Sequence, residues 1–245
     1  MPEEITKTLP AKDTQTAQAR QFVNFRFFRT DPAWRRLPES QKEKDRQEFL
    51  QVAESFREKG VTWLSYSMIG IRGDAEFLLW RIADTPELFQ EMSSAFLHTG
   101  LGKYVFIPYS YLSMTKPSPY VAKHTHPGQE GKSTKMGPAG YKYLFLYPFT
   151  KSDDWYRISR EKRQQMMEEH FKIGHKYPTV KNNTSYSFGL DDQEFMVAFE
   201  SDFPGDFLDL VTEMREIEAR RYTLRDTPIF TAIKKPLEKI LQELG

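Results

Sequence analysis

A short phrase recurs at nearly half the length of the chain, and this internal repeat constrains the fold more than any other feature. Residues 65 to 77 read SYSMIGIRGDAEF and residues 185 to 195 read SYSFGLDDQEF, in a chain of 245 residues. Ser65 and Ser185 are therefore 120 positions apart (185 − 65), and Trp34 and Trp155 are 121 apart (155 − 34). Two agreeing offsets near half the length predict two copies of one structural unit.

Both copies carry the same order of secondary-structure signals. Alternating apolar residues in FVNFRFFRT and YKYLFLYPF predict a first strand in each copy. Apolar residues three and four apart in residues 42–58 and 160–177 then predict amphipathic helices. Two strands, a second helix and a final strand follow, which is the ferredoxin-like order. We therefore expect an α+β fold in which two tandem ferredoxin-like halves form a dimeric α+β barrel with the helices outside.

Composition sets the expected domain boundaries. Residues 1–20 are polar and predict a flexible leader, residues 21–114 form the first ferredoxin-like half, and residues 141–245 form the second. Between the halves, residues 115–140 are rich in Pro, Gly, Ser and Lys and predict a long linker loop.

Charge and residue usage narrow the range of partners. The 35 Lys and Arg against 34 Asp and Glu give a net charge of +1, so no overall field attracts nucleic acid. The absence of Cys excludes disulfides and thiolate metal sites. No run approaches the roughly 18 apolar residues that span a bilayer. We expect a cytoplasmic protein that neither inserts into a membrane nor binds nucleic acid.

The predicted helices of the two halves differ at one notable position. The apolar stripe of the first carries Phe49, Val52 and Phe56, whereas the stripe of the second carries Met166, His170 and Ile173. A histidine in such a place is either a core residue bonded to a backbone carbonyl or a ligand. A neutral imidazole on a buried face is well suited to be an axial ligand of haem iron.

Several segments of the second half, together with one from the first, resemble the chlorite dismutase superfamily, which includes the coprohaem decarboxylases. They are GLGKYVFIPYSYLSM, YPFTKSDDWY, MMEEHFKIG, GLDDQEFMVAFESDFPGDFLDLV and EARRYTLRDTPIF. The resemblance runs from residue 21 to the C-terminus and is looser in the first half. It implies a haem-type macrocycle in the C-terminal half and a homo-oligomer, commonly a pentamer.

The same resemblance assigns roles around the macrocycle. His170 matches the proximal metal ligand, and Glu218 the acid that accepts a hydrogen bond from the other nitrogen of that imidazole, with Glu216 as the competing choice. Trp155 is expected beneath the macrocycle or in the core. The motif YPFTK supplies Tyr147, matching a tyrosine that is oxidised to a radical, and Lys151, matching a lysine close to a reacting propionate.

The distal side decides between reactions within the superfamily. Alternation in VKNNTSYSFG puts Asn182 on the same strand face as Val180. Chlorite dismutases resemble one another in having an arginine there, whereas many coprohaem decarboxylases have an uncharged residue. Asn182 alternatively serves only the end of its strand.

These features favour a peroxide-dependent enzyme that decarboxylates iron coproporphyrin III to haem b. The alternatives are a chlorite-degrading or peroxidase-like haem enzyme and a non-catalytic carrier of haem or coprohaem. His124 and His126 in KHTHPG are interpreted as solvated loop residues, and the EARR and KKPLEK runs as solvated helix faces.

Overall fold

The structure, a computed structural model, describes residues 19–120 and 135–245. The elements in chain order are β1 (Phe22–Thr30), α1 (Glu39–Glu58), β2 (Thr62–Ser67), β3 (Phe77–Ala83), α2 (Glu87–His98), β4 (Val105–Phe106), β5 (Ser110–Met114), β6 (Tyr143–Lys151), α3 (Asp153–Arg157), α4 (Arg160–Gly174), β7 (Lys181–Tyr186), β8 (Phe195–Ser201), α5 (Pro204–Met214), β9 (Thr223–Arg225), β10 (Phe230–Lys234) and α6 (Leu237–Glu243). Three short 3-10 helices cover Trp34–Arg36, Leu101–Tyr104 and Glu218–Tyr222. Helices and antiparallel strands together confirm the predicted α+β class.

The internal repeat is visible in the elements themselves. β1 and β6 are both nine residues long and begin 121 positions apart (143 − 22). β5 and β10 are both five residues long and begin 120 positions apart (230 − 110). The offsets found in the sequence therefore relate equivalent strands. The domain boundaries at 114/115 and 140/141 stay a prediction.

Strand pairing connects the two copies at two places. The strand order is β10-β2-β3-β1-β5-β7-β8-β6-β9, and β10 also pairs with β6. The copies meet where β5 pairs with β7 and where β10 pairs with β2. β10 pairs with β2 of the first copy and with β6 of its own copy. The pairings of eight strands, in the order β10, β2, β3, β1, β5, β7, β8 and β6, therefore form a closed ring.

One face of this sheet carries a core that both copies share. It is lined by alternate residues of strands from each copy, among them Val23, Phe25, Leu78, Trp80, Leu144, Leu146, Met196, Ala198 and Phe230. Side chains that alternate between the two faces of a strand explain why every second residue of β1 and β6 belongs to this core. The remaining residues of these strands face the helices.

The helix-facing side of the first copy is filled with aromatic side chains. Phe49 of α1 stacks on Phe96 of α2 with ring centres 4.1 Å apart, and Phe28 stacks on Phe77 at 4.6 Å. Trp34 is fully buried in the same cluster and donates its indole N–H to Asp45 at 2.9 Å. The first copy therefore has a closed core between its sheet and its helices.

Two local features differ from the sequence-based reading. The second helix predicted for the second half, over residues 204–222, is two elements, because α5 ends at Met214 and a 3-10 helix begins at Glu218. α6 is a helix that the sequence analysis did not identify, and its Leu237, Ile240 and Leu241 pack into the core of the first copy. Residues of the KKPLEK run therefore contribute to a buried contact.

Two further predictions concern parts of the chain outside this fold description. His124 and His126 lie outside the described residues, as does most of the predicted leader. Within residues 19–120 and 135–245, no helix is both long and apolar enough to cross a membrane.

Candidate functional site

A cavity of ≈ 800 Å³ lies on the helix-facing side of the second copy, where the first copy has its closed core. Its walls come from α4 and from β6, β7 and β8, with contributions from residues 115–120 and 135–137. The volume lies within the range of about 300–1,000 Å³ typical of small-molecule sites. The space between sheet and helices is thus filled by side chains in the first copy and contains a cavity in the second.

The floor of this cavity is a regular part of the sheet. Residues of β6, β8 and β7 lie side by side in three rows: Phe199 and Asn182; Tyr147, Val197 and Thr184; Phe149, Phe195 and Tyr186. Phe145, the β6 neighbour of Phe199, is buried against Phe207 and is not among the described lining residues. Because cross-strand neighbours are only about 5 Å apart, Tyr147 and Asn182 share one surface with β8 between them. The floor is mainly aromatic, which suits a flat apolar ligand.

His170 lies on α4 and faces this cavity. The helix begins at the N-cap Ser159, whose hydroxyl accepts the backbone N–H of Lys162 at 3.2 Å. Burial, with a smaller contribution from the charge of Lys151, lowers the pKa of His170 to about 4. The imidazole is therefore neutral at pH 7, and a neutral imidazole has a free nitrogen lone pair for a metal.

Tyr147 presents its phenol to the same space from the middle of β6. Its ring centre is 6.2 Å from that of Phe199. Burial, followed by the charge of Asp226, raises the pKa of Tyr147. The hydroxyl stays protonated at physiological pH, so loss of an electron from this ring has to be accompanied by loss of the Oη proton.

Lys151 ends β6 and lines the cavity close to Trp155. Its Nζ lies 4.4 Å from the Trp155 ring centre and donates to the carbonyl oxygen of Ala219 at 3.2 Å. Burial lowers the pKa of Lys151 to about 8, and the charge of Arg220 contributes in the same direction. Among the described residues this ammonium forms no ion pair, although the charge of Glu194 acts on its pKa in the opposite direction, and the bond to Ala219 leaves two of its three N–H donors for an anionic ligand.

Two neighbouring asparagines on β7 have different surroundings. Asn182 lies on the exposed side, where its Oδ1 accepts the hydroxyl of Thr184 at 3.0 Å, and it lines the cavity. Asn183 is only 6% exposed and donates its amide to Glu200 at 2.9 Å. Because side chains alternate along a strand, Asn182 faces the cavity, whereas Asn183 points the other way and is hydrogen-bonded to the buried carboxylate of Glu200.

The predicted acid partner of His170 lies at the edge of this region. Glu218 accepts a hydrogen bond from Lys162 Nζ at 2.8 Å, and neither it nor Glu216 is among the described residues that line the cavity. Glu218 nevertheless precedes Ala219, which packs with Trp155 and Met166. Its role toward the imidazole stays a prediction.

The cavity is strongly basic in a protein of net charge +1. Its lining includes seven cationic side chains: Lys116, Lys135, Lys151, Arg163, Lys181, Arg215 and Arg220. Among the described lining residues the single carboxylate is Asp226, which pairs with Arg215 at 2.7 Å and Arg220 at 2.8 Å. Arg220 of the EARR run, expected on a solvated helix face, is partly exposed and also lines the cavity.

These residues fit an iron porphyrin that carries acidic side chains. The aromatic floor matches the flat ring, the neutral His170 imidazole matches the metal, and the basic walls match carboxylates. Sequence reasoning identified His170, Tyr147, Lys151, Trp155 and Asn182, all of which line this cavity. It missed Arg163, although a spacing of seven residues from His170 puts both on one face of α4.

Fold and site together define an α+β protein with a basic, histidine-containing cavity in one of its two repeated halves. A sequence profile of the chlorite dismutase family matches residues 10–235. The chain belongs to this family.

Individual relatives agree with that membership. Coproheme decarboxylase from Mycolicibacterium smegmatis is 31% identical over 206 residues, which cover 82% of this chain and 87% of the relative. Chlorite dismutase from Candidatus Nitrospira defluvii in complex with imidazole superimposes with a TM-score of 0.82 at 26% identity, covering 91% of this chain and 94% of the other. A point mutant of that enzyme gives a TM-score of 0.83 at 26% identity, covering 93% and 96%. The family and the decarboxylase relative support a haem-binding enzyme.

Proposed function

We propose that this protein uses hydrogen peroxide to decarboxylate two propionates of iron coproporphyrin III, giving haem b. The observation that carries the proposal is the grouping in one cavity of a neutral His170, a protonated Tyr147 phenol and the Lys151 ammonium, which has no ion-pair partner among the described residues. Seven cationic lining residues against one carboxylate suit a ligand with four propionates better than one with two.

In this proposal each residue has a separate task. His170 holds the metal through one ring nitrogen, and Glu218 accepts a hydrogen bond from the other, which increases the donor strength of the ring. Trp155 packs beside the macrocycle, and Lys151 holds a propionate by its charge. The bound iron, with peroxide, supplies the oxidising power for the reaction.

Tyr147 relays that oxidation to the substrate. Its ring gives up an electron as Oη gives up its proton, and the resulting phenoxyl takes a hydrogen atom from the β-carbon of a propionate. Loss of CO2 and of a second electron leaves a vinyl group, while one peroxide and a proton become two waters for each propionate. In this proposal the Lys151 ammonium donates the required proton.

Asn182 favours this reaction over chlorite degradation. Chlorite dismutases resemble one another in a distal arginine, whose fixed cation holds an oxyanion, and Asn182 offers an uncharged amide to the cavity. The structural likeness to a chlorite dismutase keeps that activity as the second candidate. Sustained oxygen release from chlorite by the wild-type protein would make it the first.

The decisive experiment mixes the purified protein with iron coproporphyrin III, adds peroxide and follows the porphyrin mass. Two successive losses of CO2 are expected from the wild type, whereas Tyr147→Phe should bind the porphyrin normally and lose none. Tyr143→Phe is the matched control, because Tyr143 is on the same strand face but is not among the described residues lining the cavity. Haem b formation by Tyr147→Phe at the wild-type rate would contradict the relay, and binding by an inert wild type would indicate a carrier.

The proposal includes two features of the whole protein that the resemblance or the composition suggests. These are assembly as a homopentamer and a cytoplasmic location. Native mass spectrometry of the purified protein measures the first directly, and cell fractionation measures the second.

A further inference from the structure

Arg163 is a cavity residue to which the proposed reaction assigns no task. It lies on α4, seven residues before His170, and lines the same cavity. Arg163, Met167, His170 and Gly174 form one continuous stripe along this wall. Two helical turns, or about 10 Å along the axis, separate the arginine from the histidine. Arg163 is thus aligned with the proposed metal ligand but displaced toward the edge of the cavity.

One N–H donor of the Arg163 guanidinium has no partner among the described residues. Its Nε is enclosed and has no hydrogen-bond partner. Among the described residues, the carboxylate whose charge acts on Arg163 is Glu161, which is hydrogen-bonded to Ser159 and forms no ion pair with the guanidinium. An enclosed donor of a charged group that lacks an acceptor costs free energy, so this arrangement indicates an acceptor supplied from within the cavity.

The first copy shows how the same position is satisfied where there is no cavity. The residue 121 positions before Arg163 is Lys42, which forms an ion pair with Glu39 at 2.8 Å, one helical turn earlier. The equivalent of Glu39 in the second copy is Arg160, a cation. The copy with the cavity has therefore lost the carboxylate and kept the positive charge.

We propose that Arg163 binds a propionate carboxylate of the macrocycle and so helps to orient it in the cavity. The inference rests on the proposed function, since it assumes an iron porphyrin as the ligand. A guanidinium suits the task because its parallel N–H groups match the two oxygens of a carboxylate. With Lys151 at the other wall, the ligand is held by cations at two separate places on its rim.

The test compares two ligands that differ only in their acidic groups. Iron coproporphyrin III and its tetramethyl ester are titrated into the wild type, Arg163→Met and Arg160→Met, and dissociation constants are taken from the change in the porphyrin absorption band. Arg163→Met should raise the dissociation constant for the acid by about tenfold or more and leave that for the ester unchanged. Arg160→Met is the matched control, because Arg160 is on the same helix and exposed, and it should change neither value.

Two results would overturn the inference. An equal loss for acid and ester would mean that Arg163 acts by packing, and no loss for the acid would mean that it does not contact a propionate. If Arg163→Met does not fold, Arg163→Lys answers the same question, because lysine keeps the charge and loses the paired N–H geometry. A selective loss for the acid then supports the inference, and an equal loss overturns it.

Failure of the proposed function is a separate outcome of the same measurements. A wild type that binds iron coproporphyrin III but does not decarboxylate it contradicts the reaction and leaves the Arg163 comparison intact. A wild type that binds neither ligand contradicts both.

Discussion

His170 and Phe49 occupy equivalent positions 121 residues apart, and they give the two copies different interiors. Phe49 is fully buried and stacks on Phe96, closing the first core. The imidazole of His170 has no such stacking partner among the described residues; its neighbouring ring is Phe171, at 6.0 Å and nearly perpendicular. At this position the second copy has the proposed metal ligand where the first copy has a packed aromatic ring.

Replacing His170 with Ala should abolish most of the affinity for iron coproporphyrin III. Losing a hydrogen-bond partner of a metal ligand typically costs about 10–100-fold in affinity, so losing the ligand itself should cost roughly 100-fold or more. Absorption titration measures the effect, and the ferric spectrum should lose its imidazole-ligated form. His98→Ala is the control, since His98 is exposed at the end of α2. An unchanged spectrum and affinity in His170→Ala would remove the proximal assignment.

Lys151 should make porphyrin binding depend on pH in the alkaline range. Its pKa is lowered to about 8, so the charge is present below pH 8 and is lost as the pH rises through that value, well before an ordinary lysine titrates. Affinity for the anionic macrocycle should then fall by up to about tenfold per pH unit above pH 8. Titrations between pH 7 and 10 measure this slope.

The matched variants for that measurement are Lys151→Met and Lys172→Met. Lys151→Met should bind more weakly at pH 7 and lose the slope that Lys151 provides. Lys172, exposed on α4 and outside the described lining of the cavity, should keep the wild-type profile when replaced. Parallel profiles for the wild type and Lys151→Met would exclude Lys151 as the titrating group.

The sequence predicts which side chains line the cavity where the regular spacing of a helix or a strand determines the direction in which they point. His170 follows from helical spacing and Asn182 from strand alternation, and both line the cavity. Arg163 and Arg220 were not predicted, because a charged residue looks the same in a sequence whether its helix side meets water or a cavity. Arg163 differs from an ordinary surface arginine in lacking an ion-pair partner among the described residues. That difference is recognised only by comparison with the Lys42–Glu39 ion pair at the equivalent position of the first copy.

At the scale of elements, the region around Glu218 shows what local patterns leave undetermined. The run from Pro204 to Tyr222 has helical spacing throughout, yet α5 ends at Met214 and the chain turns before Glu218. Ile217 and Ala219 turn inward to pack with Trp155 and Met166. This tertiary contact outweighs the tendency of the segment to form one continuous helix. It cannot be predicted from residues 204–222 alone, because Trp155 and Met166 lie outside that range.

The connection that enters β6 is held by a buried carboxylate. Glu200 of β8 is 0% exposed and accepts the backbone N–H groups of Ala139 at 2.8 Å and Gly140 at 2.6 Å, besides the amide of Asn183. The preceding residues 135–137 form part of the cavity wall. Glu200 therefore fixes that wall and β7 relative to each other.

Glu200→Gln should lower the free energy of unfolding measurably. The amide keeps one acceptor oxygen but places an NH2 group against donors, so at least one hydrogen bond to a charged acceptor is lost, worth about 1.5–3 kcal/mol. Denaturant titration measures the change. The control is Asp202→Asn: among the described residues the exposed Asp202 accepts one hydrogen bond, from the Lys142 N–H at 2.8 Å, and its replacement should cost less than about 1 kcal/mol. Equal losses in the two variants would contradict a holding role for Glu200.

At the scale of the whole molecule, the two copies differ in their interiors: the first is packed and contributes stability, and the second contains the cavity for a ligand. The first copy is closed by aromatic packing and also receives α6 from the end of the chain. The second copy leaves ≈ 800 Å³ between its sheet and α4, so this helix forgoes packing that α1 has. The closed copy supports the sheet that both share, and the open copy is free to hold a ligand.

This asymmetry predicts that the ligand will protect one copy of the fold selectively. Amides that exchange through local opening report the stability of their own element, and α4 should open more readily than α1 because it borders the cavity. At a ligand concentration of about 100 times the dissociation constant, binding stabilises the bound form by about 2.7 kcal/mol. Hydrogen exchange with mass spectrometry, at short exchange times, should show that gain in peptides covering residues 160–174 and not in those covering residues 39–58. The same ligand added to His170→Ala serves as the control and should protect neither helix. Equal protection of both helices at short times would mean that the two copies open together, and that the cavity does not weaken its own half.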